Sequence, residues 1–176
     1  MKKTLIINMD DLNFNGDVLD VCTDKSNIIY CISKEIEDEL SVDYVDYSNQ
    51  DMLRQQKYDA CTFFFNLNSV WTNWRRKKII KRVSSFLKDD GQIFIWDISK
   101  ERGKVYNNKI KVKLPKNDFK EVIVRNNNLI AYNNFEDYKK IIEKYYIIDD
   151  SKEWEDIFFI KGTLKKEEKD IIWRFY

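Results

Sequence analysis

NGDVLDVCTDKSNIIYCISKEIEDELSVDYVD, residues 15–46, reads as strand, loop, helix and strand, with an acid at the end of each strand. Val18, Leu19 and Val21 form a short apolar run around Asp20, the pattern of a buried strand. Thr23–Asn27 is polar and turn-forming. Ile28, Ile29, Ile32, Ile36 and Leu40 then recur at helical spacing, with Lys34, Glu35, Glu37, Asp38 and Glu39 on the opposite side. Ser26 or Asn27 is placed to cap that helix. Ser41–Tyr47 returns to the valine and tyrosine content of a strand.

A βαβ unit whose second strand closes on an acid, here Asp46, has the layout of an adenosine-binding Rossmann-type half. The phosphate-cradling glycines are absent, so the stretch is not a dinucleotide fingerprint. The rest of the chain extends the alternation. Thr4–Leu12 is either a lead-in strand or a short helix on the sheet edge. Tyr58–Asn66 (YDACTFFFN) is an apolar strand, aromatic on both faces and therefore central. Thr72 caps a helix expected to run to about Lys88, with Ile79, Ile80, Val83 and Leu87 inward and Asp90-Gly91 ending it. Gln92–Ile98 is the next strand. Lys104–Tyr132 changes character, because KIKVKLP and EVIVRNNNLIAY alternate apolar and polar residues around a Pro115–Asp118 turn. That pattern predicts an antiparallel excursion, solvated on one face and able to cover a pocket at the carboxyl edge. A helix over Phe135–Lys144 and strands over Tyr145–Asp149 and Ile157–Thr163 follow.

The chain has 176 residues, a length that suits a single domain over 1–176 with the excursion at 104–133. Its composition, 43% apolar and 35% charged, is that of a water-soluble globular chain. No stretch approaches the ~18 uninterrupted apolar residues of a membrane span, and Thr4–Ile7 is too short for a signal-peptide core. Cys22, Cys31 and Cys61 are odd in number and lack metal-site spacing, which suits free thiols in a reducing cytoplasm. No metal site is expected. The chain has no histidine, which removes Ser-His and Cys-His catalysis and histidine metal ligation. The net charge of +1 gives no bulk field for nucleic acid, so the basic run Arg75–Arg82 reads as a solvated helix face and nucleic acid is not expected as a partner.

In order and in motif this chain resembles the class I S-adenosylmethionine (SAM)-dependent methyltransferases. VLDVCTDKSN stands where that family has VLDVGCGTG, VDYVDYS puts Asp46 where its ribose-binding acid lies, and YDACTFFFNLNSVW matches its fourth strand and substrate-facing turn. FLKDDGQIFIWDIS corresponds to the fifth strand and its approach, and the last helix with WEDIFFIKGTLK to the closing strands. The resemblance implies a Rossmann-like α/β sheet, mostly parallel with an antiparallel last strand and helices on both faces. It implies SAM as cofactor, held by Asp20, Cys22, Asp24, Ser26, Asp46 and Asn66, and a pocket for a small-molecule or other methyl acceptor at Asn68 and Trp71. Two departures stand out. Every glycine of the first loop is replaced over Cys22–Ser26. The step from Asp46 to Asp59 is also too short for the family's third-strand unit. Reading Ile28–Ile32 as the second strand would require a parallel crossover of about five residues where a dozen are needed, so the helix is retained and the third-strand edge unit is taken as lost. The lost glycines raise the alternative of a non-catalytic binding or regulatory module.

Overall fold

The computed structural model describes residues 3–12, 14, 16–21, 28, 29, 32, 42–45 and 56–166. Among the described residues, nine strands and two helices have both ends defined: β1 (Thr4–Asn8), β2 (Val18–Val21), β3 (Val42–Val45), β4 (Tyr58–Phe64), α1 (Asn73–Ser84), β5 (Leu87–Ile98), β6 (Tyr106–Lys113), β7 (Phe119–Asn126), α2 (Phe135–Ile142), β8 (Tyr146–Trp154) and β9 (Ile157–Leu164). Ile28, Ile29 and Ile32 are helical and fully buried, as their spacing requires. Cys22, Asp24, Ser26 and Asp46, four of the expected site residues, lie outside the described residues, as do Cys31 and the charged tail.

The main sheet has six strands in the order β3-β2-β4-β5-β9-β8. β3, β2, β4 and β5 pair in parallel, whereas β9 runs antiparallel to both β5 and β8. The sheet is therefore only partly parallel by pairing, with one reversed strand set between two others. β2 and β4 are buried along nearly all their length because side chains of successive residues meet cover on both faces.

One face is covered by the two helices. Ile80 and Val83 of α1 and Tyr138, Ile141 and Ile142 of α2 pack with Leu19, Phe63, Ile93, Ile95, Phe158 and Ile160 in one apolar cluster. The opposite face departs from the expectation of helices on both sides. Ile28, Ile29 and Ile32 lie there, but much of the described cover is a second sheet of three strands, in the order β1-β6-β7. β1 is thus a strand, as one of its two readings had it, but it pairs in parallel with β6 rather than joining the main sheet. The expected excursion is the antiparallel hairpin β6–β7, turned by Pro115–Asn117. It is more than a pocket cover. Ile110, Val112 and Val124 pack in one cluster with Phe94, Trp96 and Ile98, while Lys109, Lys111, Glu121 and Ile123 face outward. The alternation that suggested a solvated hairpin is the pattern that lets one face become a core layer.

α1 begins where the sequence placed it, with the Thr72 hydroxyl accepting a hydrogen bond from the Arg75 amide at 3.2 Å. It ends earlier than expected. Leu87 has helical spacing to Val83, yet it pairs with Tyr58 at the start of β5. Residues 88–91 then bulge before Gln92 pairs with Ala60, and Asp90 takes a positive φ of 58° within that bulge.

These layers give opposite expectations for two isoleucines of the hairpin. Ile110→Ala opens a cavity between the sheets and should lower stability by about 2–5 kcal/mol. Ile123→Ala, on the outward face, should stay within about 0.5 kcal/mol of wild type. Urea unfolding midpoints of the two variants check this, and equal small effects would return the hairpin to the status of a loose cover.

Candidate functional site

The carboxyl ends of β2, β4 and β5 are fastened to one another by side chains. Asp20 of β2 lies opposite Thr62 of β4 in the parallel register, and the Thr62 hydroxyl donates to its carboxylate at 2.6 Å. β4 ends at Phe64, and the next residue, Phe65, adopts φ 53° while its amide donates to the Trp96 carbonyl at 2.8 Å. The chain then makes the single 3-10 turn Leu67–Ser69. Asn66 donates its side-chain amide to the Val21 carbonyl at the end of β2, and its own Oδ1 is buried without a partner. Asn68 donates to the Phe65 carbonyl at 2.7 Å and to Asp97 Oδ1 of β5 at 2.9 Å. Both asparagines are buried, so they do more than terminate a strand.

Asp97 is fully buried. Besides Asn68 it accepts from the Ile98 amide at 2.8 Å and the Tyr138 hydroxyl at 3.3 Å. Arg76, 1% exposed despite its place in a basic run, lies 5.2 Å over the Tyr138 ring. Its guanidinium donates to the Leu67 carbonyl at 3.4 Å, to Asn73 at 2.7 Å, to the Tyr132 carbonyl at 3.3 Å and to Asn133. Asn126, the last residue of β7, donates to the Asn68 carbonyl at 2.9 Å and so ties the second sheet to the same turn. Burial pushes Asp20 and Asp97 up from 3.8 to about 6. The Thr62 hydroxyl partly opposes the rise at Asp20, and the Ile98 amide, Asn68, the Arg76 charge and Tyr138 oppose it at Asp97. Burial also raises the Cys61 thiol well above its ordinary value, which makes it inert packing.

Two clefts open on this edge. The smaller, about 230 Å³, is lined by Asn68, Ser69, Trp71, Arg125, Asn126 and Asn128. The larger, about 570 Å³, lies between the end of β5, the β8–β9 turn and the loop before α2, with Lys100, Tyr106, Asn133, Glu153 and Asp156 among its walls. It touches none of Asp20, Asn66 and Asn68. Of the residues singled out in the sequence, the structure brings Asn66 beside the Asp20 strand, and Asn68 and Trp71 into the smaller cleft. Trp71 is 66% exposed and walls that cleft from outside. Asp97, Arg76, Tyr138 and Asn126 were missed. Asp97 carried a signal, an acid inside the apolar run IFIWDI, whereas Arg76 carried none. Among the described residues no cluster of His, Cys, Asp or Glu has the makings of a metal site, and no helix is long and apolar enough to cross a membrane.

No protein-family model and no curated protein matches the sequence. Solved structures do match. A SAM-dependent methyltransferase from Clostridium acetobutylicum is 14% identical, with a TM-score of 0.57 over 88% of this chain and 86% of that one. A SAM-dependent methyltransferase from Aquifex aeolicus is 13% identical, with a TM-score of 0.58 over 85% and 82%. DhpI, solved as its complex with SAH, is 12% identical, with a TM-score of 0.59 over 90% and 81%. At such identities the likeness is one of fold: this chain has the fold of the SAM-dependent methyltransferases.

The raised carboxyls predict an unusual pH dependence. A folded-state value of about 6 against 3.8 means that the folded protein holds the Asp20 proton more tightly than the unfolded chain. The stabilisation is full below the unfolded value and is lost as pH rises through about 6. Asp20→Asn removes this linkage. Its unfolding free energy relative to wild type should therefore improve by about 2 kcal/mol between pH 4.5 and 7. Urea titrations of both proteins at the two pH values measure it, and a constant difference would show that Asp20 is ionised throughout.

Proposed function

We propose that this protein is a SAM-dependent methyltransferase that holds its cofactor over the carboxyl ends of β2, β3 and β4. The observation that carries the reading is the convergence of Asp20 and Asn66 on the end of β2 in a sheet of this fold. Asn66 Oδ1 is a buried acceptor with no donor, and such an atom costs about 1–3 kcal/mol if left unmade. A ligand bearing ammonium and hydroxyl donors suits it, and SAM carries both. In this reading Asp20 orders the first loop, Cys22, Asp24 and Ser26 approach the methionine part, and Asp46, next after β3, accepts the ribose hydroxyls. The Asp46–Asp59 step then corresponds to a missing third-strand unit, with β3 as the edge strand. The whole of 1–176 acts as one domain.

SAM supplies a methyl group already activated on sulfur, so the chain's task is to bind, orient and exclude water. The lack of histidine is no obstacle to that task. Asn68, fixed from behind by Asp97, and Trp71 line the cleft for the acceptor, which takes a small molecule or one group of a larger one. Asp97 is a positioning residue, since it is fully buried and spends its oxygens on Asn68, Ile98 and Tyr138.

Calorimetry with SAM and with S-adenosylhomocysteine tests the reading before any acceptor is known. Both should bind. Asp46→Asn keeps the shape and loses the charge-assisted bonds, so it should weaken binding at least about tenfold, the factor that 1.4 kcal/mol represents. Asn66→Ala should weaken it as well. Unaltered affinity in Asp46→Asn would place the ribose elsewhere, and no binding by wild type at millimolar ligand would remove the reading altogether.

A further inference from the structure

We propose that the outer face of α1, with the two tryptophans at its head, is a docking surface for single-stranded nucleic acid. Among its residues, NWRRKKIIKRVS, α1 has no acid and six cations, of which only Arg76 is turned into the core. Trp74, Arg75, Lys78, Lys81 and Arg82 fall at the spacing of a single helix face, and all five are exposed. Among the described residues no ion pair neutralises Arg75, Lys77, Lys78 or Lys81, although ion pairs engage lysines elsewhere, as at Lys57–Asp43, Lys88–Asp59 and Lys109–Glu121. An acid that α1 does contact, Asp137 of α2, accepts from the Asn73 side-chain amide at 3.1 Å.

A basic face alone is an ordinary solvated helix. What distinguishes this one is Trp71 and Trp74, 66% and 68% exposed immediately before and within its first turn. An exposed tryptophan forgoes the burial its ring would gain, and two beside a row of cations pair π-faces with phosphate-binding charge. Those are the two components by which unpaired strands are held: a positive track for the backbone and aromatic platforms for the bases. A duplex offers its bases to neither platform, which selects the single strand. The track continues, because Trp71 also walls the cleft whose cation is Arg125. The near-zero net charge does not oppose this, because the binding field is local. The proposal does not depend on cofactor binding.

The test is titration of the whole protein with oligo(dT) and oligo(U), read by calorimetry for every variant and also by tryptophan fluorescence for the wild type, with inorganic polyphosphate as a probe of charge alone. Quenching should accompany binding. If Arg75, Lys78 and Lys81 meet about three phosphates, affinity should fall about twentyfold from 50 to 200 mM salt. Trp71→Ala with Trp74→Ala should weaken oligonucleotide binding at least about tenfold and leave polyphosphate binding unchanged. Arg75→Gln with Lys78→Gln, also at exposed positions, should weaken both. Absence of binding at 50 mM salt overturns the proposal. So does oligonucleotide binding that survives loss of both tryptophans, since the helix would then be a basic patch without base contacts.

Discussion

Much of the described structure converges on the burial of one acid, Asp97, and one guanidinium, Arg76, both held against Tyr138. The two are not in direct contact. Tyr138 donates its hydroxyl to the acid and offers its face to the cation. Buried charges of this kind stabilise little in net terms, because desolvation offsets the attraction of their partners. Their effect is on position. Through Asn68 the acid fixes the turn after β4. Through Leu67, Tyr132 and Asn133 the guanidinium joins that turn to the loop before α2. An edge of the sheet that would otherwise consist of separate strand ends becomes one body.

The same logic explains why a chain of this size supports two sheets. The main sheet is apolar on both faces, so both need cover. α1 and α2 supply one cover. On the other face β1, β6 and β7 present alternate residues to the core, and Asn126 at the end of β7 reaches the Asn68 carbonyl. The hairpin therefore contributes to the core along its length and to the site at its open end, away from the Pro115 turn, which couples packing in the second sheet to the shape of the smaller cleft.

What was legible in the sequence followed from periodicity and end signals. The isoleucines at 28, 29 and 32, the Thr72 cap and the Pro115 turn each rest on a local rule that tertiary structure did not override. Where a rule had competition, the reading failed. Leu87 continues the inner stripe of α1 as well as it begins β5, and pairing with Tyr58 decided the matter. β1 offered no local sign of its partner, because parallel pairing with a strand a hundred residues on leaves no trace in spacing. Arg76 sits among Arg75, Lys77 and Lys78, and only the fold distinguishes the one cation that turns inward. The exposure of Trp71 and Trp74 was equally hidden, since tryptophan at the head of a helix usually packs.

A chain without histidine has no side chain that ordinarily titrates near neutrality, and burial supplies two substitutes. Asp20 and Asp97 are both pushed to about 6, but with different consequences. Asp97 is surrounded by four opposing influences, three hydrogen bonds and the Arg76 charge, and is closed off by Asn68 and Tyr138, so its proton is tied to the integrity of the core. Asp20 has one opposing partner, Thr62, and is the penultimate residue of β2. In the proposed function, a positive ligand group bound beside the end of β2 would favour the carboxylate and lower its value again. On the proposed reading, binding of a cationic group there is coupled to release of the Asp20 proton.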